Sequence, residues 1–203
     1  MSYPAKIQLS ETEMQLVTNS DWIFAKQEII KKIYALFGEL NEAMKKRLAA
    51  HPYLPTEATT GIGKITKGEN YLGLPYVILD QPSLFSKNDI LAIRTMFWWG
   101  NYFSITLHVS GKYKEMLSDN YEGALRFLQE RDFLICINKD EWEHHFDRDN
   151  YKPAKAVTVE ELQITGSDFF KTGKTIPLTS WDNALPVLLI YFEEIIEFLC
   201  LKK

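Results

Sequence analysis

The sequence predicts an α+β fold, in which an antiparallel sheet around a hairpin at residues 92–109 packs against long N- and C-terminal helices. Two patterns predict it. Apolar residues recur at three- and four-residue steps between Asp21 and Ala50, as they do in an amphipathic helix. An aromatic run precedes Gly100-Asn101, which has the composition of a two-residue β-hairpin turn, and apolar and polar residues alternate from Phe103 to Val109.

The composition predicts one domain over residues 1–203, with a helical part at 10–50, a sheet-rich part at 59–138 and a helical part at 154–203. Hydrophobic residues make up 46% of the chain and charged residues 25%, as in packed globular proteins. A net charge of −4 gives no general attraction to phosphate backbones or anionic lipid, so we expect no nucleic-acid and no membrane partner. No secretory signal is visible, and we expect a cytoplasmic location.

The first helices are predicted from capping and periodicity. Ser10 and Glu13 have capping-box spacing and start a short helix that ends near Asn19. The long helix then runs from Asp21 to Ala50. It ends before Pro52, because the residue that precedes a proline is pushed towards extended conformations.

The remaining elements are predicted from turn residues and apolar runs. From Thr59 we expect a glycine-punctuated strand or loop, and then a strand from Tyr71 to Leu79, in which Pro75 indicates an edge position or a bulge. The other predicted elements are a helix start at Ser86–Asp89, a helix over 112–131, a buried strand at 133–138, a helix within 157–170 capped by Thr158, and a last helix capped by Thr179 with Asp182.

The register of the hairpin decides which side chains share a face. If Gly100 is the first central residue of a type II′ turn, Trp99 pairs with Tyr102. Arg94 then falls on the core face, where a guanidinium needs either a structural carboxylate partner or a bound anion. In this register the core face carries Met96, Trp98, Phe103, Ile105, Leu107 and Val109, and the other face carries Ile93, Thr95, Phe97, Trp99, Tyr102, Ser104, Thr106 and His108.

Three stretches of the chain resemble the uncharacterised YktB-like bacterial proteins. They are Leu36-Phe37-Gly38, the region Thr60-Gly-Ile-Gly-Lys64 and the pattern from Phe97 to Leu107. The resemblance covers roughly residues 33–115 and implies a compact α+β fold. The family has no known activity, so the resemblance transfers no catalytic residue.

The segment from Asp140 to Asp149 is dense in side chains of the types that bind metals. On a helix, Asp140 would share a face with His144, and Glu141 with His145. The spacing matches no zinc-protease or calcium-loop motif, and a third ligand would have to come from elsewhere. We therefore assign no metal site and no cofactor.

Two glycine-lysine segments bear a superficial likeness to phosphate-binding loops. Gly173-Lys174-Thr175 and Gly61-Ile-Gly63-Lys64 both lack the first glycine of that motif at the required distance. The second segment is better interpreted as turn chemistry, although its amides and Lys64 could line an anion pocket.

The residues identify no reaction, and whether the chain is an enzyme is left open. We expect a soluble cytosolic binding protein for a protein partner or a small ligand, which uses an aromatic sheet face with Trp99 and Tyr102. The alternative is an enzyme or small-anion-binding protein with a pocket around Arg94 and His108. A homodimer through the exposed rings is a third hypothesis. The candidate ligand-binding residues are Arg94, Trp99, Tyr102, His108, Tyr76 and Lys64.

Overall fold

A computed structural model describes residues 7–115, 120–165 and 168–201, except for the side chains of residues 164 and 165. Residue contacts divide the chain into two compact units, the first ending at Leu36 and the second beginning at Phe37. The described helices and strands are, in order, α1 (Glu11–Thr18), α2 (Ser20–Ala49), α3 (Thr56–Thr60), β1 (Lys64–Tyr71), β2 (Leu74–Phe85), β3 (Ile90–Trp98), β4 (Tyr102–Ser110), α4 (Lys112–Glu115), α5 (Tyr121–Glu130), β5 (Leu134–Cys136), β6 (Tyr151–Pro153), α6 (Val159–Thr165), β7 (Phe169–Pro177) and α7 (Ala184–Leu199).

The first unit contains α1 and the beginning of α2. At α1 the predicted capping box is present, because the hydroxyl of Ser10 accepts from the N–H of Glu13 at 3.3 Å and the Glu13 carboxylate accepts from the N–H of Ser10 at 2.7 Å. The side chain of Asn19 then accepts from the N–H of Trp22 at 3.0 Å and so caps the start of α2. The predicted short helix and long helix are both confirmed.

The second unit is built on an antiparallel sheet. Its seven described strands lie in the order β1-β2-β3-β4-β7-β5-β6, with the predicted hairpin, β3 and β4, near the centre. One face of the sheet lies under α7, which packs on β4 and β7, and Arg47 of α2 forms an ion pair with Glu193 of α7. The predicted α+β fold is confirmed. The buried side chains of these two helices in the second unit include Phe37, Leu40, Met44, Leu48, Leu188, Phe192, Ile195 and Ile196.

The hairpin turn lies one residue earlier than predicted. The N–H of Asn101 donates to the carbonyl of Trp98 at 3.1 Å, so the central residues of the turn are Trp99 and Gly100. Gly100 has a φ of +71°, and a positive φ at the second central position is typical of a type II turn. The predicted type II′ turn over Gly100 and Asn101 is wrong.

This difference exchanges the faces of β4 relative to β3, because side chains alternate along a strand. Phe97 pairs with Phe103 and Arg94 with Thr106, so both predicted faces are wrong. The apolar face, under α7, carries Ile93, Phe97, Phe103, Ile105, Leu107 and Val109, and the opposite face carries Arg94, Met96, Trp98, Tyr102, Ser104, Thr106 and His108.

Around β2 one prediction fails and another is confirmed. Ser86 and Asp89 close the turn between β2 and β3, where the N–H of Ser86 donates to the carbonyl of Asp89 at 3.0 Å, so no helix starts there. β2 lies between β1 and β3 and is not an edge strand. The predicted bulge at Pro75 is confirmed, because the register of β2 with β1 shifts between Tyr76, which lies opposite Gly68, and Leu74, which lies opposite Tyr71.

The C-terminal half follows the prediction in part. The buried strand is confirmed as β5, and the helix capped by Thr158 is confirmed as α6, in which the N–H of Glu161 donates to the Thr158 hydroxyl at 3.2 Å. The helix predicted over 112–131 is described as α4 and α5, and residues 116–119 lie outside the described residues. Thr179 and Asp182 lie in a 3-10 segment before α7, so they do not cap that helix. β7 was not predicted.

Within the described ranges, no helix has both the length and the apolar character needed to cross a bilayer.

Candidate functional site

Four charged or polar side chains meet on the sheet face opposite α7. Asp80 on β2 pairs with Arg94 on β3, and His108 on β4 pairs with Lys171 on β7. Thr106 connects the two pairs, because it lies opposite Arg94 and two residues before His108. The relative exposures are 6% for Asp80, 6% for His108 and 2% for Lys171. We call Asp80, Arg94, His108 and Lys171 the polar cluster.

The polar cluster is covered by the segment from Lys139 to Asn150, which we call the covering segment. It consists of turns and irregular backbone. The helical faces that Asp140 would share with His144, and Glu141 with His145, therefore do not form. Tyr71, at the end of β1, anchors it. The Tyr71 hydroxyl accepts from the N–H groups of His144 and His145 at 2.6 and 3.0 Å and donates to the Glu143 carboxylate at 2.8 Å.

Phe146 provides a second anchor for the covering segment. Its N–H donates to the hydroxyl of Tyr102 at 2.8 Å, and its ring stacks on Tyr151 with centroids 4.2 Å apart. Gly173 of β7 makes this packing possible, since a Cβ there would lie 3.1 Å from the Phe146 ring and 2.4 Å from the carbonyl oxygen of Ile105. Gly173 thus lies in the middle of β7, where it allows close packing.

Arg94 has the carboxylate partner that a buried guanidinium needs. Its Nε and Nη2 donate to the two carboxylate oxygens of Asp80 at 2.8 and 2.9 Å, which is the bidentate geometry of a strong pair. Its Nη1 lies 3.0 Å from Nε2 of His144. Burial first, and then the charges of Lys171 and Arg94, lower the pKa of His144 to about 2, so a neutral ring accepts from Arg94 at Nε2.

Lys171 is the most deeply buried member of the polar cluster. Its Nζ donates to the main-chain carbonyls of Glu141 and Glu143 at 3.0 and 2.5 Å, and within the described ranges it forms no ion pair with a carboxylate. Burial lowers the pKa of Lys171 to about 8, although the carboxylates of Asp140 and Glu141 oppose this shift. The lysine therefore fixes the backbone of the covering segment directly above the sheet.

His108 orients the carboxylate of Glu141. Its Nε2 lies 3.0 Å from a carboxylate oxygen of Glu141. Burial first, and then the positive charges of Lys171 and Arg94, lower the pKa of His108 to about 3, so the ring is neutral at pH 7. A neutral ring can donate to a carboxylate only if Nε2 carries the proton. Burial also raises the pKa of Glu141, and Lys171 opposes this.

A cleft of about 570 Å³ lies beside the Glu141 carboxylate. Two rings of its wall, Trp142 and Phe169, pack on His108 with centroid distances of 5.7 Å each. Trp142 is 50% exposed, so much of its surface is available to a bound molecule. The cleft is lined by Lys87, Asn88, Ser110, Lys139, Asp140, Glu141, Trp142, Asp168 and Phe169.

The two aromatic residues predicted to form a binding face lie on opposite sides of the sheet. Tyr102 packs on Trp98 at 5.6 Å between centroids, on the face of the polar cluster. Trp99 packs on Phe97 at 5.4 Å, on the apolar face. The one-residue shift of the hairpin turn thus separates Trp99 from Tyr102.

The other four predicted residues share the face of the polar cluster, but only two of them come together. Arg94 and His108 are brought together beneath the covering segment. Lys64, on β1, lies opposite Asp80 of β2 and is exposed at the rim of the sheet. Tyr76 belongs instead to an aromatic group, with its ring 6.3 Å from that of Tyr71.

Lys171 and the role of Glu141 were not predicted from the sequence. Lys171 follows Phe169-Phe170 and precedes Thr172, Gly173 and Lys174, so the local sequence shows no alternation that would mark it as an inward-facing residue. The partnership of Glu141 with His108 joins residues 33 positions apart, so no local pattern could reveal it.

A scan of protein-family models and searches of curated proteins and solved structures yield no match to this chain. The resemblance to YktB-like proteins therefore stays a prediction.

Proposed function

We propose that this chain is a binding protein for a small molecule that carries an ammonium group, held in the cleft beside Glu141. One observation carries the proposal: the Glu141 carboxylate is oriented from the protein side by His108, while 29% of the side chain stays exposed. A carboxylate held in place before binding loses little conformational freedom when it accepts a ligand. The proposal includes no chemical step.

The size and aromatic wall of the cleft support this function. Its volume of about 570 Å³ lies within the range of roughly 300–1,000 Å³ that is common for small-molecule sites. Trp142 lies 6.3 Å from Phe85, which is 42% exposed, so two accessible rings stand next to the acidic lining. Exposed aromatic faces attract cations, which adds to the preference for an ammonium group.

The charges of the lining favour a cationic ligand over a simple anion. Three carboxylates, those of Asp140, Glu141 and Asp168, line the cleft together with two lysines, Lys87 and Lys139. An ammonium group next to Glu141 is attracted by the acidic side chains, and the two lysines can bind an anionic group elsewhere on the same molecule. A zwitterion is therefore compatible with this lining, whereas a simple anion meets more repulsion than attraction.

Calorimetric titration with matched compounds tests the proposal. The panel consists of 2-phenylethylamine with 3-phenylpropanoate, 1,4-diaminobutane with butanedioate, and phenylalanine. We expect an amine of the panel to bind with one-to-one stoichiometry and its carboxylate counterpart to bind at least tenfold more weakly. Glu141→Gln should weaken amine binding at least tenfold, since it removes the charge and keeps the shape.

Glu122→Gln is the matched control, because Glu122 is an exposed carboxylate on α5 and does not line the cleft. It should leave amine affinity unchanged. Tighter binding of the carboxylates than of the amines would favour the small-anion alternative and contradict the proposal. The absence of saturable binding by every amine, or equal binding by Glu141→Gln, would also contradict it.

A further inference from the structure

The covering segment holds a second arrangement of side chains, away from the lining of the cleft. One nitrogen of His145 and one carboxylate oxygen each of Asp147 and Asp149 lie within 4.8 Å of one another. A local turn brings the two aspartates to the same side, because the N–H groups of Asn150 and Tyr151 both donate to the carbonyl of Asp147, at 3.0 and 2.8 Å. The three side chains therefore converge without help from distant residues.

The hydrogen bonds around Tyr71 favour a proton on Nδ1 of His145. The Tyr71 oxygen accepts two main-chain N–H groups and donates its proton to Glu143, so its lone pairs and its proton are all in use. Nδ1 of His145 lies 2.9 Å from the Tyr71 oxygen, and this oxygen has no free lone pair that could accept a proton from Nδ1. It also lies 3.3 Å from the Glu143 carboxylate, which is an acceptor. Glu143 thus favours the ring with its proton on Nδ1.

In this tautomer Nε2 of His145 presents a lone pair towards the aspartates. The atom lies 3.3 Å from Oδ1 of Asp149, which is itself only an acceptor. The side chain of His145 is only 9% exposed, so its ring is held in this orientation by the surrounding residues. Two lone pairs facing each other repel unless a proton or a metal cation lies between them. Two ligands of one Zn²⁺ ion with bonds near 2.1 Å lie roughly 3.4 Å apart, close to this separation.

We propose that His145, Asp147 and Asp149 bind a divalent transition-metal ion, with water in the remaining positions. Glu143 would act as the outer carboxylate that orients the histidine, an arrangement common in zinc and related sites. A nitrogen with two carboxylate oxygens suits Zn²⁺ or Mn²⁺ better than Mg²⁺. No metal site was predicted for this segment from the sequence, because its spacing matches no zinc-protease or calcium-loop motif and a third ligand could not be identified. This inference is independent of amine binding in the cleft.

Titration of the chelator-treated full chain with ZnCl₂ tests the site, with MgCl₂ as the hard-ion comparison. We expect one saturable Zn²⁺ equivalent by calorimetry. A long-range ¹H–¹⁵N spectrum should show a metal-dependent shift at Nε2 of His145, with the proton on Nδ1. Asp149→Asn and Asp147→Asn should each weaken Zn²⁺ binding at least tenfold, and both residues are exposed, so the fold should be unaffected.

Two further variants separate the roles. Glu143→Gln should weaken Zn²⁺ binding about tenfold or more while a site still forms, as expected for an orienting carboxylate. Asp182→Asn, an exposed aspartate in the 3-10 segment before α7, should bind like the unmodified chain. Retained affinity in both Asp147→Asn and Asp149→Asn would overturn the assignment, and so would a His145 ring that carries protons on both nitrogens in the presence of Zn²⁺. Amine binding, measured in chelator, is unaffected by either result.

Discussion

His108 and Glu141 meet at 3.0 Å where the buried polar cluster reaches the cleft. His108 belongs to the sheet, whereas Glu141 belongs to the covering segment, so this bond couples the orientation of an exposed carboxylate to the packing of the interior. The neutral state of His108 is a condition of this arrangement. Protonation of the ring would place a third positive charge beside Lys171 and Arg94.

The first prediction concerns acid stability. The pKa of His108 is about 3 in the folded chain and about 6.5 when unfolded, so the unfolded state binds more protons between these values. Stability should therefore fall as the pH falls from 6.5 to 3. The part of this loss that is due to His108 should be about 2–3 kcal/mol between pH 7 and pH 4.5. Urea denaturation of the unmodified chain and of His108→Gln at both pH values measures it. Equal losses in the two proteins would contradict the prediction.

The second prediction concerns alkaline pH and Lys171. Its folded pKa of about 8 lies below the unfolded value of about 10.5, so the charged form costs stability at pH 7.5 and this cost declines as the pH rises. Between pH 7.5 and 9.5 the unmodified chain should gain about 2 kcal/mol relative to Lys171→Met. The measurement is the difference in unfolding free energy between the two proteins at each pH. A difference that does not change with pH would show that Lys171 titrates normally.

The third prediction concerns the pair of Arg94 and Asp80. Arg94→Met leaves a carboxylate buried without its partner, and should reduce the unfolding free energy by about 3–5 kcal/mol. Asp80→Leu combined with Arg94→Met removes both charges and should cost less than either single change. Chemical denaturation of the three variants gives the coupling energy. A double variant as unstable as the sum of the two single variants would indicate that the two side chains act independently.

The fourth prediction follows from the hairpin register. Trp98 and Tyr102 share a face with centroids 5.6 Å apart, so a double-mutant cycle on their alanine variants should give a coupling of about 0.5–1.5 kcal/mol. The same cycle on Trp99 and Tyr102 should give less than about 0.5 kcal/mol. A larger coupling for Trp99 with Tyr102 than for Trp98 with Tyr102 would support the type II′ register instead.

The helices were predictable because their signals are local. Ser10 with Glu13 specifies a capping box, and the apolar spacing along α2 specifies a helix whatever the tertiary structure. The hairpin was predictable as an element but not in register, because glycine suits both a type II′ turn over Gly100-Asn101 and a type II turn over Trp99-Gly100. The pattern of the strands contained a clue, since only the observed register places Arg94 and His108 on one face and leaves Thr95 as the one polar residue of the hairpin strands on the other face.

The candidate site was predictable only in fragments. Arg94 and His108 were identified as unusual polar residues, and the acidic segment was recognised as a group of possible ligands. These residues come together through two long-range contacts. β7 places Lys171 beside His108, 63 residues earlier in the chain, and Tyr71 binds the covering segment 72 to 74 positions away. Such pairings arise from tertiary structure and leave no local pattern.

The most direct test of the proposed function is a ¹H–¹⁵N spectrum of the tryptophan indoles during titration with 2-phenylethylamine. The chain has five tryptophans, and Trp142→Phe identifies the indole signal that belongs to the cleft. The account predicts that this signal shifts saturably with the amine, shifts little with 3-phenylpropanoate, and does not shift in Glu141→Gln. An unchanged Trp142 signal at saturating amine, or an equal response to the carboxylate, would contradict it.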